Sequence, residues 1–90
     1  MITVPEYTLS KLSKTQQTLV ITLSKRPALT KQLIKVGRVA NISQMLKCER
    51  ITEILADAGL IVTVNKITRE FLWQLSYIQQ HSQQEHAEVA

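Results

Sequence analysis

Cysteine, glycine and histidine are scarce in this chain, and each shortage excludes a class of chemistry. A single cysteine, Cys48, leaves no internal disulfide and no cysteine cluster for a structural zinc, which suits a protein of the reducing cytoplasm. On a helical apolar stripe it reads as a buried thiol. Two glycines, Gly37 and Gly59, cannot build a glycine-rich phosphate loop. The only histidines, His81 and His86, sit in a polar tail, where with Glu85 and Glu88 they make a solvated segment rather than a metal site. No catalytic set, cofactor site or metal site is expected, and the chain reads as a non-enzyme. Long apolar runs are missing as well. Nothing approaches the roughly 20 residues of a membrane span, and "MITVPEYTLS" lacks the basic start and apolar core of a signal peptide.

Negative charge is scarce in one half only. Residues 1–50 carry nine Lys and Arg (Lys11, Lys14, Lys25, Arg26, Lys31, Lys35, Arg38, Lys47, Arg50) against Glu6 and Glu49, a net of +7. Residues 51–90 carry Lys66 and Arg69 against Glu53, Asp57, Glu70, Glu85 and Glu88, a net of −3, and the two halves recover the overall +4. A concentrated basic half points to a polyanionic partner, nucleic acid before a membrane surface. The 44% apolar share is that of a globular chain, and 90 residues make one small domain. Such a domain buries about 60–65% of its unfolded surface.

Three helices are expected. "SKTQ" at Ser13–Gln16 has the form of a capping box, opening a helix over Lys14–Lys25 with Leu12, Leu19 and Leu23 inward. "TLVITL" is also β-branched enough for a strand. Pro27 ends the element, because the residue before a proline is pushed out of the helical region. Thr30 is a good N-cap for a second helix over Lys31–Ala40, with Leu33, Val36, Gly37 and Ala40 on its inner face and Lys31, Lys35 and Arg38 on the other. "NIS" at Asn41–Ser43 breaks the pattern. The third helix runs from about Gln44 to Ala58, with an inner stripe of Cys48, Ile51, Leu55 and Ala58, Ile54 alongside and Leu46 outward. Gly59 stops it, since glycine takes the left-handed conformation without a Cβ clash.

A ribbon follows. Ile61–Val64 reads as a strand, "NKIT" as a tight turn, and in "REFLWQLSY" the residues Phe71, Trp73, Leu75 and Tyr77 recur with the two-residue period of a strand with one buried face. Phe71, Leu75 and Ile78 also fit a helical period. The hairpin is preferred because Ile61–Val64 needs a nearby partner. The tail "IQQHSQQEHAEVA" reads as a frayed helix or as disorder. The division is thus an N-terminal arm at 1–12, a domain at 13–77 and a tail at 78–90.

Helix, helix, turn, helix and ribbon together resemble the winged helix-turn-helix family of DNA-binding regulators. The matching pieces are "VGRVANISQML" as second helix and turn, "ERITEILADAGLI" as recognition helix and exit, and "REFLWQLS" as returning strand. The resemblance implies a mainly α domain of three helices with a small β-hairpin. It also implies a cytoplasmic transcriptional regulator that binds double-stranded DNA as a homodimer. Carried over residue by residue, Ser43, Gln44, Lys47 and Arg50 would read base edges, Lys31, Lys35 and Arg38 would hold phosphates, and Lys66 and Arg69 would touch DNA from the wing. Trp73, Tyr77 and Ile78 would supply apolar contacts between copies. Two departures stand against the pattern. The space between the turn and the core of the third helix is about one residue longer than usual, and that helix turns Glu49, Glu53 and Asp57 outward. The acidic face supports an alternative, an adaptor or inhibitor docking a basic protein partner.

Overall fold

Ser13 and Gln16 form the capping box that their spacing implies. The Gln16 N–H donates to Ser13 Oγ at 3.2 Å, and the Ser13 N–H donates to Gln16 Oε1 at 3.1 Å. Two donors that a helix start leaves orphaned are thereby satisfied. The structure, a computed structural model, describes residues 2–78; the expectations for the remainder of the tail, including His81 and His86, lie outside them. In chain order the elements are α1 (Glu6–Leu9), α2 (Lys14–Lys25), β1 (Ala28–Leu29), α3 (Thr30–Gly37), α4 (Ile42–Lys47), α5 (Glu49–Asp57), β2 (Leu60–Ile67) and β3 (Glu70–Tyr77). Among the described residues five helices stand where three were expected. A three-stranded antiparallel sheet in the order β1-β3-β2 replaces the two-stranded ribbon. Helix still outweighs strand.

α2 has the expected bounds, and Arg26 leaves it in an extended conformation ahead of Pro27. Leu19, Val20 and Leu23 are buried along it, with Leu12 just before its start. α1 lies against this layer: Thr8 is buried, and Gln17 Nε2 donates to the Leu9 and Leu12 carbonyls at 2.8 and 3.2 Å.

α3 differs from expectation at both ends. Thr30 is its first residue rather than its cap. The Thr30 hydroxyl instead accepts from the Trp73 indole at 2.7 Å and donates to the Phe71 carbonyl at 3.4 Å, joining the helix start to β3. The reaching-back half of a capping box comes from Gln32, whose Oε1 accepts from the Leu29 N–H at 2.8 Å. The helix ends at Gly37, three residues before Ala40, and Arg38 takes the left-handed conformation at φ 55°. Gly37 packs closely instead: a Cβ there would lie 2.9 Å from Leu19 Cδ2, so any larger residue would require the Leu19 side chain to shift. Leu33 is buried as expected, but Val36 is 47% exposed and Ala40 lies in the exposed turn.

The expected third helix is two helices, broken at Cys48, whose φ −70° and ψ 155° are those of extended backbone. Leu46, placed outward by a continuous helix, is 1% exposed. Ile42 and Leu46 form one buried pair and Ile51 and Leu55 another. On an unbroken helix the two pairs would be turned about 180° apart. The break lets both reach the core, and Cys48, Ile54 and Ala58 pack half-buried beside them.

Gly59, at φ 76°, turns the chain from α5 into β2 as expected. The hairpin turns later than "NKIT", through Thr68 and Arg69, and its strands are paired from Leu60↔Tyr77 to Ile67↔Glu70. Thr68 has a positive φ and Arg69 does not, the sign pattern of a type II′ turn. The alternation on β3 holds, with Trp73 and Leu75 buried, but Phe71 and Tyr77, near the two ends of the strand, are 48% and 54% exposed. β1 adds to the sheet through Ala28↔Trp73 and Leu29↔Leu72.

Candidate nucleic-acid interface

α4 is only six residues long, and its cap and its burial together decide what it presents. Asn41 Oδ1 accepts from the Gln44 N–H at 3.1 Å, while Asn41 Nδ2 donates to Gln44 Oε1 at 3.0 Å. With Ile42 and Leu46 turned into the core, Ser43, Gln44 and Lys47 share the exposed face, spaced as neighbours on a helix surface. At its other end Gln16 Nε2 donates to the Met45 carbonyl at 3.1 Å. One side chain thus completes the cap of α2 and holds the end of α4.

A groove of about 430 Å³ runs between the start of α4 and the hairpin. Ser43 and Lys47 line it from α4, Val64, Phe71 and Trp73 from the sheet, and Thr30 and Asn41 from the adjoining turns. Lys66 is the cross-strand partner of Phe71, so their side chains lie on the same face of the hairpin. Arg69 stands exposed in the loop beyond.

Arg50, the fourth expected base reader, lies past the break. It lines a separate groove with Ser10, Lys11, Glu49 and Glu53. The three residues of the expected phosphate set have different surroundings. Lys31 Nζ is 3.1 Å from Glu70 Oε1, Lys35 lines a cleft with Arg26 at the end of α2, and Arg38 follows α3 in its left-handed turn. Trp73, expected between two copies, is 3% exposed within the chain's own core, whereas Tyr77 of the same group is open to solvent. Sequence reasoning missed Phe71 as a groove residue. Its register with Lys66 follows from the hairpin turn at Thr68–Arg69 and gave no signal beforehand. It also missed Arg26, for which spacing gives no signal.

The electrostatics are one-sided. Residues 2–78 hold all eleven Lys and Arg against Glu6, Glu49, Glu53, Asp57 and Glu70, a net of +6. Among the described residues Lys31–Glu70 is the one ion pair, an exposed contact of the kind worth about 0–1 kcal/mol. Among those residues, too, no helix is long and apolar enough to cross a membrane. Compared with known proteins, the chain matches no family model, no curated protein and no solved structure.

Proposed function

We propose that this chain is a cytoplasmic DNA-binding regulator with a winged-helix layout, and not an enzyme. In this reading α3, the turn at 38–41 and α4 act as the helix-turn-helix, and β2 and β3 act as the wing. The observation that carries it is the unneutralised charge. A fold with a net of +6 and one ion pair among its described residues keeps its other cations available to a polyanion. Ser43, Gln44 and Lys47 on one face of α4 would enter the major groove. Lys35 and Arg38 would hold phosphates, with Lys31 joining them on release from Glu70, and Lys66 and Arg69 would contact the flank. A homodimer reading two half-sites would supply the specificity that one module lacks.

The test is binding to duplex DNA at two salt concentrations. Replacing Lys31, Lys35 and Arg38 together by Ala should weaken binding to every duplex by a similar factor and flatten the salt dependence by about 0.9 per lost contact. Wild-type protein that ignores duplex DNA at low salt ends this reading. The adaptor alternative draws on α5, where Glu49, Glu53 and Asp57 are exposed. It expects Glu49→Lys with Glu53→Lys to abolish capture of a basic partner while the triple Ala variant is silent.

A further inference from the structure

The groove between α4 and the hairpin has a chemistry that duplex binding does not require. Its sheet side is apolar, lined by Val64 and Trp73, with the Phe71 ring half open to solvent. Its opposite rim offers the Ser43 hydroxyl and the Lys47 ammonium, and no carboxylate lines it. Lys66 stands beside Phe71 across the strands. At about 430 Å³ the groove is within the range of clefts that take small planar ligands. Phe71 is also in an unusual place for a core-facing aromatic, near the end of its strand and half exposed.

We propose that this groove receives an unpaired nucleobase of a DNA strand, stacked on Phe71 and met at its polar edge by Ser43, with Lys47 and Lys66 holding the adjacent phosphates. An aromatic platform flanked by cations is the arrangement by which proteins hold single strands without reading their sequence. A cationic rim free of carboxylates suits a polyanion and disfavours a basic peptide. The proposal rests on the nucleic-acid reading above and narrows it: the preferred ligand is a duplex whose bases are opened, and closed duplex is the weaker one.

Trp73 is the only tryptophan of the chain and lines this groove, so its fluorescence reports occupancy there. The experiment titrates the protein with a matched duplex, the same duplex carrying a central run of mismatches, the single strand, and a mononucleotide. The opened duplex and the single strand should quench Trp73 and bind roughly tenfold tighter than the matched duplex, the scale of one stacked base. Phe71→Ala should remove that advantage and leave matched-duplex affinity unchanged. Phe71→Leu, which keeps apolar bulk without the ring, should do the same, and Phe71→Tyr should retain the advantage. Equal affinity for matched and opened duplex overturns this proposal alone, as does an equal loss on every ligand in Phe71→Leu. A mononucleotide that quenches Trp73 as strongly as the single strand at equal concentration overturns the strand as ligand. Absence of binding to any DNA overturns both this proposal and the regulator reading.

Discussion

α2 buries one apolar stripe, Leu19, Val20 and Leu23, whereas α4 and α5 carry two stripes that no single helix could turn to the same side. α2 is accordingly continuous, and local chemistry accounts for its ends: a reciprocal cap at Ser13–Gln16 and a proline two residues past Lys25. The break between α4 and α5 has no such local cause, since neither glycine nor proline stands near Cys48. Packing makes it. Ile42 with Leu46 and Ile51 with Leu55 all reach the core only if the chain extends for one residue between them. Two stretches with similar helical periods therefore differ because one has its stop written beside it and the other has its stop imposed by distant contacts.

The largest test of that comparison is in the core. Leu46→Ala and Leu55→Ala should each destabilise by about 2–5 kcal/mol in urea denaturation, because each empties a buried site. In a domain this small either loss is a large share of total stability. A continuous helix predicts a different pair of results, with Leu55→Ala costly and Leu46→Ala below about 0.5 kcal/mol, as at a surface site.

Gln16 sharpens the link between the two regions. Gln16→Ala should cost about 1–2 kcal/mol, since it removes half of the α2 cap and the bond to the Met45 carbonyl together. Ser13→Ala removes the other half of the cap, leaves the Met45 bond in place and should cost about 1 kcal/mol. Equal losses in the two variants, measured side by side by thermal melting, would mean that the Met45 contact contributes nothing.

Arg38 separates stability from binding. Its left-handed backbone favours glycine, so Arg38→Gly should stabilise by up to about 1 kcal/mol. The same change should weaken binding to all duplexes and reduce the salt slope by about 0.9 if the guanidinium holds a phosphate. A variant that melts lower than wild type would contradict the positive φ. One that melts higher but binds DNA unchanged would remove Arg38 from the interface.

The smallest effect addresses the break directly. Cys48 is the N-cap of α5 yet gives no side-chain cap bond. Cys48→Ser would supply a better acceptor and should stabilise by about 0.5 kcal/mol. Inside an unbroken helix serine would instead be mildly destabilising, so the sign of the change in melting temperature decides between the two geometries.

What was legible in the sequence follows the same division. The capping box, the stop at Pro27, the turn at Gly59 and the alternation through Trp73 and Leu75 all rest on residues within a few positions of the feature they specify, and all are present. The inward placement of Ala40 failed because α3 ends early. Gly37, which could have made a left-handed stop, serves contact with Leu19, so the stop fell to Arg38, a residue with no sequence signal for it. The hairpin turn escaped for a related reason, since Thr68–Arg69 contains none of the residues that mark tight turns. β1 is two residues long and exists through its pairing with β3. For the candidate interface, spacing indicated the shared face of Ser43, Gln44 and Lys47. It could not indicate that Arg50 lies beyond a break, or that Phe71 stays half exposed.

The pairing of Ala28 with Trp73, reinforced by the bond from Trp73 to Thr30 across 43 positions, sets an order of events. A growing chain can cap α2 and coil α3 from neighbouring residues alone, but β1 has nothing to pair with until Trp73 has been synthesised. Closing so long a loop costs entropy that nearby contacts do not. The sheet can therefore be completed only once β3, which carries Phe71, has docked. Assembly of the fold and assembly of the groove are one step.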